Sequence, residues 1–430
     1  MSSRLALKLI GSLWLGALLG ALAAFVTQIL LARELGPGEY GIFSSIIAFM
    51  ALLTPLIGLG IPQFWLKIYG LEGMGAGRWL KGSFKALCLS SIAIFSAVFL
   101  WLTAFERESS YFFTILLFLF FLLSQLFVEL LSSRYQLEGK FRVLALWQLF
   151  PHFLRLTVLL ILLFLVGENF DLFNVSWAYA IASIPLIVFG WHGLSTMRKN
   201  SFTLEGHKRL YTEPTTIVKP GGFDVLKSSW PFGLAAFFQI IYYQSDIILV
   251  KYLDGEHAAG IYSVAFSIMA AIFLLPAVIY QKFLLPKFHR WAHHDTARFY
   301  QVYKLGNKAM ALVGLLVMVG LWSTAFWLIP FVFGSEYRGS VVVLNVLALS
   351  IPVMYLAFNS GATLVTKDNM LKKVRYMGFV ACINIALNSL LIPTYGELGA
   401  AIATVLSNTV LCFFYYFSTR KYVFGEGGAA

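Results

Sequence analysis

Apolar runs of about 20 residues follow one another along this chain, separated by short polar breaks. That length is what a helix needs to cross the roughly 30 Å hydrocarbon core of a bilayer. Lipid offers no water to satisfy backbone amides and carbonyls, so each run is expected to be helical. Twelve spans can be drawn, roughly at 9–31, 42–66, 84–105, 111–133, 143–166, 175–194, 227–249, 258–285, 303–329, 341–362, 375–393 and 398–419. Composition agrees: 59% of residues are hydrophobic and only 12% charged, where a soluble domain has about a quarter charged. Gly20-Ala21-Leu22-Ala23-Ala24 resembles a signal-peptide cleavage site, but the apolar run continues to Leu31 and eleven spans follow. The first span is therefore read as an uncleaved helix.

Charge sets the orientation. If the N-terminus is cytoplasmic, the inner segments hold 27 Lys and Arg and the outer ones only Arg33, Arg107, Lys251 and Arg338, with Arg155 inside a span. That bias predicts twelve spans with both termini in the cytoplasm. It also accounts for the net charge of +12 without a nucleic-acid partner, because the basic residues sit in short loops beside the membrane. No loop is large enough for an external catalytic domain, so the chain reads as a carrier rather than an enzyme.

An internal repeat divides the sequence. Leu31-Ala32-Arg33-Glu34-Leu35-Gly36-Pro37-Gly38-Glu39-Tyr40-Gly41-Ile42-Phe43-Ser44 is echoed by Val250-Lys251-Tyr252-Leu253-Asp254-Gly255-Glu256-His257-Ala258-Ala259-Gly260-Ile261-Tyr262-Ser263, with one residue inserted in the second copy. Related halves of this kind are frequent in transporters, with the site between them. The expected parts are an N-terminal half at 1–194, a cytoplasmic linker at 195–226, a C-terminal half at 227–420 and a cytoplasmic tail at 421–430. Residues 286–304 are expected to form an amphipathic helix at the cytoplasmic surface. His289 and His293 have the spacing of a metal pair but no third ligand, so no metal or cofactor is expected. Cys88, Cys382 and Cys412 are too scattered for a disulfide or metal motif and read as packing residues.

Ionisable side chains within spans are expensive and mark candidate sites. Three occur: Glu129, Arg155 and Asp246. Gln148, His152 and Arg155 fall on one helical face. Arg155 lies about 18 Å from the cytoplasmic start of its span at 1.5 Å per residue. An Arg at that depth needs a water-filled cavity, an anionic ligand or an acidic partner such as Glu129. Glu129, nearer the cytoplasmic end, is a candidate gate or ion-coupling residue, or simply reaches the headgroups. Gln239, Tyr242, Tyr243 and Asp246 form a second polar stripe, which lines a cavity or cements a helix contact. Asp246 is also a candidate for ion coupling. Asn345, Asn359, Ser360, Asn384, Asn388, Thr404 and Asn408 read more readily as interhelical hydrogen bonds than as ligands.

The Leu-Ala-Arg-x-Leu-Gly-Pro-x-x-Tyr-Gly-Ile-Phe pattern at 31–43 resembles the polysaccharide-transport (O-antigen flippase-like) family. So do Ala259-Gly260-Ile261-Tyr262-Ser263 and the stretch from Leu390 to Thr404. That family belongs to the superfamily of multidrug, oligosaccharidyl-lipid and polysaccharide exporters. The resemblance implies an all-α integral membrane protein of the inner membrane, with two six-helix bundles around a central cavity worked by alternating access. The implied cargo is a polyprenyl-pyrophosphate-linked oligosaccharide, turned from the cytoplasmic to the outer leaflet by an ion gradient or the membrane potential. Expected partners are this glycan, membrane lipids, and the polysaccharide polymerase and chain-length machinery. Arg155 would meet the pyrophosphate, with Arg33 and Lys251 near the outer ends of their spans, and Tyr242 and Tyr243 suit sugar rings. Two other readings share the fold class: an ion-coupled multidrug exporter and a non-transporting scaffold of polysaccharide assembly.

Overall fold

Every regular element among the described residues is helical, as backbone satisfaction in lipid requires. The computed structural model of the protein describes residues 3–105, 111–198, 202, 204, 219–366 and 369–425. Most of the expected linker 195–226, the end of the tail 421–430, and Arg107, Lys199, Lys208, Arg209 and Lys367 lie outside them.

The helices are α1 Ser3–Gly58, α2 Ile61–Glu72, α3 Leu80–Phe105, α4 Phe112–Leu137, α5 Phe141–Val166, α6 Leu172–Arg198 and α7 Gly222–Leu253. They continue with α8 Glu256–Ala277, α9 Leu285–His294, α10 Thr296–Phe333, α11 Gly339–Ala348, α12 Ser350–Leu364 and α13 Met370–Thr419. Eight helical stretches are long and apolar enough to cross a membrane, and the bent pair 335–348 and 350–364 makes a ninth if taken as one span. This is a multi-pass membrane protein. The first stretch, Gly16–Phe105, is 90 residues long, far more than one crossing uses. It is interrupted: α1 leaves helical geometry at Gly36 (φ 67°, ψ 174°), a backbone state that a Cβ would strain. Likewise α13 breaks at Gly396 (φ 58°, ψ −142°). Of the expected amphipathic helix 286–304 only the first part stands apart, as α9, with Phe288 and Trp291 buried and His289 and Arg290 exposed; Asp295 then caps a new helix, and 296–304 are the opening turns of α10.

Two compact units form. The first comprises Met1–Thr27 and Phe49–Phe237. Its centre is the packing of α4 on α6, where Gly190 and Gly193 let the helices close: a Cβ at Gly190 would lie 2.7 Å from Phe127 Cβ. Beside it, Arg134 on α4 donates to Glu138 and to the Gly193 carbonyl of α6, and Lys140 pairs with Glu138 at 2.6 Å. The beginning of α7 belongs to this unit, its Gly233 amide resting on Gly60.

The second unit comprises Gln28–Ala48 and Phe238–Ala430. Its core gathers Tyr242, Tyr280, Phe288, Phe299, Met354 and Tyr415. Both copies of the sequence repeat lie here, and they touch. A Cβ added at Gly41 would stand 1.9 Å from the Glu256 carbonyl oxygen, and one added at Gly260 would stand 1.9 Å from that of Pro37. Gly41 and Gly260 are the matched glycines of the repeat, and each meets the carbonyl four residues before the other. The contact is thus reciprocal, backbone against backbone, and possible only without side chains. The copies also share their break: Gly36 has φ 67° and Gly255 has φ 113°. Around them Tyr337 donates to the Ala32 carbonyl at 2.8 Å and packs edge-on against Tyr40, while Ser340 donates to the Ile261 carbonyl at 2.7 Å.

Candidate functional site

The second unit holds a buried carboxylate in a shell of neutral polar groups. Asp246, on α7, is only 1% exposed. Its Oδ2 accepts from the Tyr262 hydroxyl of α8 at 2.9 Å and from Thr404 Oγ1 of α13 at 2.5 Å. Its Oδ1 accepts from Asn388 Nδ2 of α13 at 2.6 Å. Asn388 Nδ2 also reaches Asn384 Oδ1 at 3.1 Å, which takes a further bond from Ser245 at 3.2 Å. Three helices thus converge on one carboxyl group. No Lys, Arg or His pairs with it among the described residues. Asn388 Oδ1 is buried without a hydrogen-bond donor. A buried charge with neutral partners is stabilised further by any cation that reaches it, and the oxygens of Asp246, Asn384, Asn388, Thr404 and Tyr262 are the hard donors that a small cation prefers. The described residues contain no cluster of His, Cys, Asp and Glu for a transition metal.

The α7 stripe is therefore split. Tyr242 is buried, donates to Asn408 Oδ1 and stacks edge-on against Tyr243 at 5.1 Å. Tyr243 is half-buried and Gln239 is exposed. Asn388, Thr404 and Asn408, read from the sequence as interhelical hydrogen bonds, make such bonds to Asp246 and Tyr242, and Asn384 makes one with Ser245. Periodicity alone placed Asp246 on a face; its partners lie more than 130 positions away, except Tyr262 in the second repeat copy.

The first unit holds the opposite charge. Arg155 is buried on α5, its guanidinium 4.8 Å from the Phe121 ring of α4 and 5.7 Å from the Tyr179 ring of α6. Ring faces attract cations but do not neutralise them. No carboxylate pairs with Arg155 among the described residues, and its Nε has no acceptor. The ion pair with Glu129 is not formed; Glu129 is exposed on α4. Along the α5 stripe Gln148 is exposed and His152 half-buried against Gly20.

Two residues have other contacts. Arg33 donates from Nε to the Val332 carbonyl at 2.7 Å and from its other nitrogen to that of Phe331, satisfying the C-terminal end of α10. Lys251 is half-buried, its ammonium 4.8 Å over the Tyr252 ring. The cysteines depart from the packing expectation: Cys88 and Cys382 are exposed, and only Cys412 is partly buried.

Residues 6–291 match the profile of the family described as polysaccharide biosynthesis protein. The chain belongs to this family. No curated protein sequence matches it significantly. Solved structures share the polysaccharide biosynthesis protein's fold at low identity. The lipid II flippase MurJ, in an inward closed conformation, is 16% identical, with TM-score 0.72 over 95% of this chain and 87% of that one. An inward-facing multidrug resistance MATE family transporter of the MOP superfamily is 13% identical, with TM-score 0.71 over 94% of both chains. A MOP superfamily transporter from Pyrococcus furiosus is 14% identical, with TM-score 0.62 over 97% of this chain and 95% of that one.

Proposed function

We propose that this protein is a flippase that carries a polyprenyl-pyrophosphate-linked oligosaccharide from the cytoplasmic to the outer leaflet by alternating access. The observation that carries the reading is the pair of buried ionisable groups with no counter-ion among the described residues, Arg155 in one unit and Asp246 in the other. An unpaired guanidinium suits a pyrophosphate, whose oxygens it bonds in two places. A lone carboxylate in an oxygen shell suits a proton or a small cation, so Asp246 couples transport to an ion gradient or the membrane potential. Glu129, exposed on α4, serves as a gate, with His152 and Gln148 following Arg155 along the cargo's path. Gln239 and Tyr243 meet the sugars. Membership of the polysaccharide biosynthesis family supports the glycan, and the likeness to a lipid II flippase supports the movement of a lipid-linked cargo.

The topology of this reading is twelve spans in two six-helix bundles, 1–194 and 227–420, with both termini on the cytoplasmic side of the inner membrane. Breaks at Gly36, Gly60 and Gly396 cut the longest helical stretches to single-crossing lengths, and the uneven distribution of Lys and Arg between alternate loops of the sequence supports this orientation. Access alternates as two close contacts separate in turn, Gly41 with Gly260 in one unit and Gly60 with Gly233 in the other. Polymerase and chain-length proteins would receive the product.

The test is flipping in proteoliposomes. A fluorescent polyprenyl-pyrophosphate oligosaccharide is quenched from outside by a membrane-impermeant reagent, with wild type beside Arg155→Ala. Faster exposure of the cargo by wild type alone is expected. Equal exposure in the mutant removes Arg155 from the path. Export of cationic dyes with no carrier movement would favour a multidrug exporter, which the likeness to MATE transporters supports. Activity in neither assay would leave the scaffold reading.

A further inference from the structure

A cavity of about 650 Å³ lies within the second unit, between α10, α12 and the last part of α13. That volume is in the usual range of ligand sites, roughly 300–1,000 Å³. Its walls are graded along the helices. Lys304 and Lys308 stand one turn apart on the α10 wall, which runs from Tyr300 to Ala311, and Arg420 follows the last turn of α13. Below them run Tyr416, Phe417 and Phe413, down to Thr409. From Thr409 to Arg420 is about 16 Å at 1.5 Å per residue, close to half of the roughly 30 Å hydrocarbon core. The groove therefore has the length of one leaflet, with Arg420 and Lys304 toward one end, Lys308 a turn deeper, and aromatic rings along the α13 wall.

The charge is unspent. Among the described residues no Asp or Glu lines the cavity, and Lys304, Lys308 and Arg420 are exposed and form no ion pair. The Arg420 guanidinium rests 5.5 Å from the Tyr416 ring, which holds it at the mouth. The positive-inside bias accounts for basic residues at this level of the membrane. It does not account for three of them converging on a leaflet-deep groove.

We propose that this groove binds a phospholipid of the cytoplasmic leaflet that carries two phosphates. Its headgroup lies among Lys304, Lys308 and Arg420, and one acyl chain runs along Phe417 and Phe413. Three cations exceed what a single phosphate balances, and basic pockets between spans on the cytoplasmic side suit multiply charged headgroups. A groove one leaflet deep is filled by a single acyl chain. The site rests on the topology of the transport reading but not on its cargo, and its test reads binding rather than flipping.

The test is native mass spectrometry of the full chain in detergent, titrated with cardiolipin, with phosphatidylcholine and with a polyprenyl pyrophosphate. Wild type is expected to retain cardiolipin at least tenfold more tightly than phosphatidylcholine. Lys304→Gln, Lys308→Gln and Arg420→Gln together should weaken cardiolipin on the order of 100-fold, given the contribution of each basic side chain to anionic-lipid binding. Ala311→Trp, which fills the groove and leaves the cations, should also abolish the preference. If the triple variant does not elute as a folded protein, Arg420→Gln and Ala311→Trp carry the test. Equal retention of cardiolipin by wild type and the folded variants would overturn the site. Tighter retention of the polyprenyl pyrophosphate than of cardiolipin would overturn the assigned occupant.

Discussion

Replacing Gly260 by alanine puts a methyl carbon 1.9 Å from the Pro37 carbonyl oxygen, where ordinary contact begins at 3.4 Å. The two backbones must therefore separate by about 1.5 Å, the difference between those distances. The obstacle is the Pro37 backbone rather than a flexible side-chain tip, so local rotation gives no relief. Overpacking of this kind typically costs ~1–3 kcal/mol, which at about 1.4 kcal/mol per decade shifts the closed-to-open ratio about 5- to 140-fold. Ser44, one turn beyond Gly41 and 8% exposed, reports the opening. In a background without Cys88, Cys382 and Cys412, Ser44→Cys is labelled with a membrane-impermeant maleimide. Gly260→Ala should raise the labelling rate at least about fivefold, and Gly41→Ala should do the same because its Cβ meets the Glu256 carbonyl at 1.9 Å. Gly38→Ala, in the same motif but with nothing within 4 Å, should leave the rate unchanged. Parent-rate labelling in a fully folded Gly260→Ala protein would refute the argument.

Arg155→Met should abolish flipping yet leave a protein at least as heat-stable as wild type, because it removes a buried charge that has no counter-ion; full flipping with a lowered melting temperature would make Arg155 purely structural. Asp246→Asn retains an acceptor for Tyr262 and Thr404 but loses the charge, so transport should lose its response to an imposed ion gradient; an unaltered gradient response in that mutant would rule out coupling at Asp246. Glu138→Ala should destabilise the protein by about 3–5 kcal/mol, since it strands the Arg134 guanidinium, whose side chain is 10% exposed. Adding Arg134→Met should recover most of that loss in a thermal melt, and failure to recover would show that the ion pair is not the source.

The all-helical, multi-pass class was legible because lipid permits few backbone solutions, whereas the twelve expected spans meet eight or nine helical stretches of very unequal length. The repeat was also legible, though as a sign of two halves rather than as two strips of backbone in contact. Periodicity put Tyr242, Tyr243, Asp246 and Gln239 on one helical face, but it does not say what covers that face. Asp246 found Asn388 and Thr404, and Gln239 found none of them. Arg33 was placed near an anion by its position at a span's end, whereas its acceptors, the carbonyls of Phe331 and Val332, lie nearly 300 positions away. One signal was present and unread: Arg134 and Glu138 have the i, i+4 spacing of a helical ion pair, but Arg134 was counted only as a loop charge.

The reciprocity of Gly41 and Gly260 has a historical side. Each glycine meets the carbonyl four residues ahead of the other, so the surface formed is its own complement. Surfaces of that kind are what join identical subunits across a two-fold axis. A half-length ancestor carrying one copy of the motif would have met its own image through the same glycine. Fusing the two copies into one chain would turn that subunit interface into an internal contact, freeing each glycine's surroundings to diverge as Arg33 and Lys251 have done.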